Sequence, residues 1–175
     1  MNLYLRLLLT LLRSWRAPRL SVDGVVERTL RVLPNDLDIN GHMNNGRYLT
    51  VVDLLLVEYF LRTGMGAAML RQGWRPMSGG SFITYRRGLK SFRSYVVRMR
   101  LDSVDAQWNY LRFEFVSDGK VCAAGYMKGA AVGKGGLVGN EQTYAAMQLQ
   151  PPEMPLSSPV RSWLAAETGV MSVAW

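Results

Sequence analysis

Two periodicities alternate along the chain. Val97, Met99 and Leu101 interleave with Arg98, Arg100 and Asp102, and Leu111, Phe113 and Phe115 interleave with Arg112 and Glu114. A period of two marks strands with one buried face, here over residues 94–102 and 108–117. Residues 22–32, rich in β-branched side chains and ending at Pro34, read the same way, as do 81–86 and 120–132. Asp118-Gly119 between the last two is a tight hairpin signal. Residues 46–62, by contrast, are apolar nearly all round, with Asp53 and Glu58 the only acids and Gly64 placed as a C-cap. A helix with that pattern is buried on most of its circumference.

The order is therefore a strand, a polar loop, one long buried helix, and then an antiparallel meander. Such a sheet must cover one face, and the long helix is the element available to do so. The expected class is α+β: a curved antiparallel β-sheet wrapped around a long central helix, the hot-dog arrangement. Residues 20–138 would form this domain, preceded by an amphipathic helix over 1–19 and followed by a Pro-containing extension over 139–175. Pro151, Pro152, Pro155 and Pro159 break that extension repeatedly, so it reads as a tail leaving the domain, with short helices at 141–149 and 159–168.

In the N-terminal helix, Asn2, Arg6, Thr10 and Arg13 form one narrow polar stripe on a leucine-rich surface. The aliphatic run at 7–12 is far shorter than the roughly 20 residues of a membrane span. A signal peptide fits poorly, because no small-x-small cleavage site follows. The helix needs an apolar partner, which could be the protein's own body, a second subunit, or a membrane surface. At a membrane, Arg13, Arg16 and Arg19 would meet anionic headgroups and Trp15 the boundary.

Composition narrows the chemistry. The chain has 175 residues and 49% hydrophobic content, enough for one domain with a real core. A single histidine, His42, and a single cysteine, Cys122, exclude two-histidine and multi-cysteine metal sites and any internal disulfide. No metal is expected. The net charge of +8 is concentrated, with nine bases and no acid between residues 59 and 101. Such a block attracts polyanions: acidic lipid, nucleic acid, or a phosphate-bearing molecule such as coenzyme A.

The densest set of reactive groups is the loop before the central helix. Asp36, Asp38, Asn40, His42, Asn44 and Asn45 place two carboxylates, one imidazole and three carboxamides within ten residues. A carboxylate there can act as general base or nucleophile, His42 or Asn40 can orient it or a water, and free N–H groups at the helix start can hold a developing oxyanion. Gly41 and Gly46 permit the turns and the approach of a substrate. The same residues also suit plain structural duty, as turn formers and a helix cap.

Residues 36–48 resemble the signature of hot-dog fold thioesterases. Asp38-Ile39-Asn40-Gly41-His42 followed by Asn44-Asn45-Gly46-Arg47-Tyr48 looks like the D-x-N-x-H and N-N-x-x-Y of the plant acyl-ACP thioesterase type. The 4-hydroxybenzoyl-CoA thioesterase and short-chain acyl-CoA thioesterase group shares Asp38 but not Asn40 or His42. The segments 82–87 and 108–115 resemble a thioesterase-like branch of bacteria and animals, and the likeness covers about residues 22–132. The resemblance implies that Asp38 attacks the thioester or deprotonates water, aided by Asn40, His42 and an amide near Asn45 and Gly46. Asn44 and Tyr48 would hold the loop, and Cys122 would be packing. Hydratase relatives on this fold carry Pro after the Asn and a longer spacing, which Asn40-Gly41-His42 lacks.

Under that resemblance the substrate is an acyl-CoA or acyl carrier protein thioester. No separate cofactor is needed, since coenzyme A enters as part of the substrate. Arg86, Arg87 and Lys90 would bind its phosphates, with Arg93 a further candidate. Family pairing implies a homodimer or tetramer with active sites at the interface. The basic run lacks a nucleic-acid-reading motif, so nucleic acid is not an expected partner. The expected location is cytoplasmic, with peripheral contact at the inner membrane surface through residues 1–19 as an open alternative. A non-hydrolytic acyl-thioester binder is the alternative function.

Overall fold

The computed structural model describes residues 3–172. The elements are α1 (Leu3–Arg16), β1 (Val26–Arg31), a 3-10 turn (Pro34–Asp36), α2 (Asn45–Thr63), α3 (Met65–Arg71), β2 (Arg75–Tyr85), β3 (Ser94–Val104), β4 (Asn109–Ser117), β5 (Lys120–Gly133), β6 (Gly136–Val138), α4 (Asn140–Ala145) and α5 (Ser158–Ser172). The strands form one antiparallel sheet in the order β1-β3-β4-β5-β2, with β6 added beside β5.

The sheet curls around α2. Val51, Val52, Leu55 and Tyr59 of the helix are buried in one cluster with Val97, Met99, Leu101, Phe113, Phe115 and Met127 of the strands. Apart from Met127, these strand residues belong to the alternating apolar sets of the sequence pattern, and all face α2 on the concave side. The hot-dog arrangement is what the element order requires, and it is the fold of this chain. Gly64 ends α2 at φ 80°, a left-handed position where glycine carries no Cβ penalty. Gly125 is small for a different reason: a Cβ there would lie 2.1 Å from the Phe82 carbonyl oxygen and 2.8 Å from the Phe113 ring.

Four differences from the sequence pattern have physical causes. First, β2 starts at Arg75 and not near 81. A bulge between Ser78 and Gly80 carries the strand past Pro76 and the glycine pair, which an edge strand tolerates. Second, residues 65–71 form α3, a short helix that the pattern left unassigned. Third, β1 begins at Val26, because Val22 and Asp23 lie in a turn closed by the Gly24 N–H donating to Ser21 O at 3.0 Å.

The fourth difference is the C-terminal extension, which folds back onto the convex face. The Val104 N–H donates to Met154 O (2.8 Å), and the Ser157 hydroxyl donates to Asp102 Oδ2 (2.7 Å). Val160 is buried with Tyr110 and Tyr126, and the Trp163 ring stands edge-on to Phe82. Lys128 is paired with Glu167 of α5. The outward aromatics of β2, β4 and β5 explain this covering, since unpaired they would leave an apolar patch in water.

α1 lies on α2, with part of its polar stripe turned inward. Arg6 of the polar stripe is buried and paired with Asp36, Nη2 to Oδ2 at 2.5 Å, and Ser14 is also buried. Tyr4, Leu8 and Trp15 face outward. Asn2 of that stripe lies outside the described residues. Among the described residues no helix is long and apolar enough to cross a membrane.

Candidate functional site

The loop between β1 and α2 is held at both ends. Asp36 Oδ2 accepts from the Leu33 N–H (3.0 Å) and from Arg6, while its carbonyl accepts from the Asn44 N–H at 2.8 Å. Leu37 bridges Met43 and His42 bridges Lys90, which staples the loop to the segment joining β2 and β3. The Met43 N–H to Leu89 O bond, 2.8 Å, belongs to the same seam.

Within that frame Asp38 turns toward an open cleft. Its Oδ1 accepts from the N–H groups of Asn40 (2.8 Å) and His42 (3.2 Å), while Oδ2 takes no hydrogen bond from the described residues. The carboxylate is thus clamped through one oxygen and presents the other. Asp38, Asn40, His42, Asn45, Tyr48, Arg86 and Arg87 all line this cleft, so the structure brings together most of the residues expected from the sequence. The His42 ring lies against Gly88; a Cβ at position 88 would come within 2.6 Å of its Cδ2. The glycine therefore lets the imidazole lie flat on the neighbouring segment.

At the start of α2, the Asn44 side chain caps the helix by accepting from the Gly46 N–H at 2.9 Å. That bond occupies the Gly46 amide, which the resemblance to thioesterases counts with Asn45 as the region of the oxyanion donor. The Asn45 N–H, at the first position of α2, donates to no described group. The Tyr48 side chain is buried between the Tyr85 and Phe115 rings, at centroid distances of 5.0 and 4.9 Å, so it packs beneath the cleft. Burial raises its phenol above the ordinary range, keeping it neutral.

Arg86 and Arg87 are exposed at the rim, with both backbone N–H groups donating to Cys122 O. Lys90 is exposed but does not line the cleft, and its link to the site is the backbone bridge with His42. Tyr85 is a site residue that sequence reasoning missed. Its hydroxyl donates to Asn45 O at 3.0 Å, fixing the start of α2 to the end of β2. The strand pattern there carried no signal that its last residue meets the helix start. Cys122 is buried.

A second concavity of about 210 Å3 lies farther along α2, lined by Leu56, Phe60, Met65, Met69 and Met127, with Pro76, Met77 and Ser78 of β2. The cleft holds the end of β2 and the start of α2, and the apolar cavity holds the start of β2 and the later turns of α2. Both therefore follow the same helix-strand seam. Asp53 is the one acid on the cavity wall, and burial raises its carboxyl above the usual range. Among the described residues no group of three or more His, Cys, Asp or Glu is placed to hold a metal ion.

Known proteins are similar at the levels of sequence and fold. Residues 32–166 match the family model of the thioesterase-like superfamily. The Xenopus laevis protein THEM6 is 38% identical over 86 residues, covering 49% of this chain and 42% of that protein, so the chain spans less than half its length. YbaW, a probable thioesterase from Escherichia coli, superposes with a TM-score of 0.65 at 16% identity, covering 70% of this chain and 96% of YbaW. A Staphylococcus aureus protein solved in complex with CoA superposes with a TM-score of 0.63 at 13% identity, covering 76% and 92%. With the family match running over most of its length, from the end of β1 into α5, this hot-dog chain belongs to the thioesterase-like superfamily.

Proposed function

We propose that the protein hydrolyses an acyl-CoA or acyl carrier protein thioester, with Asp38 as its general base or nucleophile. One observation carries the reading: a carboxylate oxygen free of hydrogen bonds shares an open cleft with the residue whose N–H begins the buried helix. In the general-base course, Asp38 takes a proton from water as the water oxygen bonds to the thioester carbonyl carbon. The negative charge moves to the carbonyl oxygen, where the Asn45 N–H and the positive end of α2 stabilise it. Collapse of the tetrahedral species breaks the C–S bond, releasing the carboxylic acid and the thiolate. His42 and Asn40 orient Asp38 through their backbone N–H groups and border the water's approach.

Arg86 and Arg87 at the rim suit the phosphates of the coenzyme A nucleotide, and Lys90 can reach only the outer part of such a ligand. The S. aureus neighbour that holds CoA supports this choice of thiol. The acyl group would follow the seam toward the apolar cavity. From Asn45 to Leu56 the helix rises about 16 Å, room for a medium acyl chain. β2 is an exposed edge strand bordering this seam, so pairing of two copies through β2 would close it.

A panel of acyl-CoA thioesters of increasing chain length, followed by thiol release, tests the reading. Hydrolysis with a preference among chain lengths is expected. Saturable binding of the same compounds with no thiol release would identify a non-hydrolytic acyl-thioester binder instead.

A further inference from the structure

α1 is mounted the wrong way round for a helix that only packs on its own protein. Tyr4 (77% exposed), Leu5, Leu8, Leu11, Leu12 and Trp15 (86% exposed) all face outward. At 100° per residue these six side chains fall within about 120° of the helix circumference, a continuous apolar stripe. The side facing the protein carries the buried Arg6 and Ser14. The Arg6–Asp36 pair holds the helix in this roll, because turning the leucines inward would leave the buried Asp36 carboxylate without its cation. The apolar face is therefore a fixed feature of the folded chain.

We propose that this face docks onto an anionic lipid surface. Arg16 borders the stripe, with Arg13 next to it on the helix and Arg19 just beyond the C-terminal end; all three are exposed, and none forms an ion pair among the described residues. An apolar stripe edged by arginines and ending in an exposed Trp matches the boundary between headgroups and acyl chains. A second copy is the poorer occupant, since α1 carries no acidic side chain that these arginines could meet on another α1 in either a parallel or an antiparallel contact. The edge of β2 already offers a surface for pairing copies. This inference does not depend on the reaction assigned above.

Co-sedimentation of the full chain with vesicles tests it. One set is phosphatidylcholine alone; the other contains roughly one-third phosphatidylglycerol, a typical anionic surface. The protein should pellet with the anionic vesicles, and added salt should weaken that partition. Leu8→Ser combined with Trp15→Ser should lower it at least about 10-fold, while Arg13→Glu and Arg16→Glu should each cost about five-fold or more. These side chains are exposed, so an unchanged circular dichroism spectrum and melting midpoint would verify folding. The proposal is overturned if the wild-type chain stays in the supernatant with both vesicle types, or if the Leu8/Trp15 variant partitions as the wild type does. It is equally overturned if that variant instead halves the particle mass in light scattering, which would make a second copy the occupant.

Discussion

Asp36 and Asp38 stand two positions apart in the same loop and meet opposite fates. In extended backbone, residues two apart are near neighbours, so composition alone treats the pair as equivalent. The structure separates them by partners. Asp36 is buried against Arg6, a residue 30 positions away, and Asp38 is tied only to its own loop. The resemblance to thioesterases pointed to Asp38, but nothing local announced that Asp36 anchors the loop to α1. Arg6→Met should therefore leave a buried carboxylate unpaired and destabilise the fold by about 3–5 kcal/mol. Urea unfolding would measure this, and a change below about 1 kcal/mol would show that the pair contributes little. Replacing both, as Arg6→Met with Asp36→Leu, should recover part of the loss, because the carboxylate then no longer needs a cation.

Strands and the central helix were legible because burial on one face, or on nearly all, imprints a period on the sequence. Short pieces were not. α3 has only 7 residues, too few to show a helical repeat, and β2 hides its first half behind Pro76 and two glycines. α1 was legible as a helix but not in its roll, since the period shows that two faces differ and not which one a buried partner will claim. In α2, Asp53 interrupts an otherwise apolar wall and its carboxyl is raised by desolvation. A raised acid favours the folded state while protonated, at low pH, and this advantage is lost as pH rises through its folded value. Asp53→Asn should accordingly raise the melting midpoint at neutral pH and have little effect well below pH ~4, the ordinary aspartate range. Equal shifts at both pH values would mean that Asp53 is fully solvated in the folded protein.

On the scale of the whole molecule, the sheet is covered on both faces by different devices. The concave side wraps α2, and the convex side is crossed by the returning C-terminal segment, whose aromatic contacts link Phe82, Tyr110, Tyr126 and Trp163. The prolines at 151–159 suggested departure from the domain, yet they shape a strap lying on it; the sign of return was the outward aromatics on three different strands. Removing residues 156–175 should expose that patch, lower the melting midpoint, and increase binding of a hydrophobic dye such as ANS. Unchanged dye binding would place the strap outside the stabilising contacts. The proposed reaction at the cleft depends on Asp38. Asp38→Asn keeps an oxygen to accept from the Asn40 and His42 N–H groups but removes the charge that can take a proton, so the loop should persist while the reaction fails. Thiol release from the best acyl-CoA substrate should fall at least ~100-fold with substrate binding retained, whereas a rate equal to wild type would contradict the central claim.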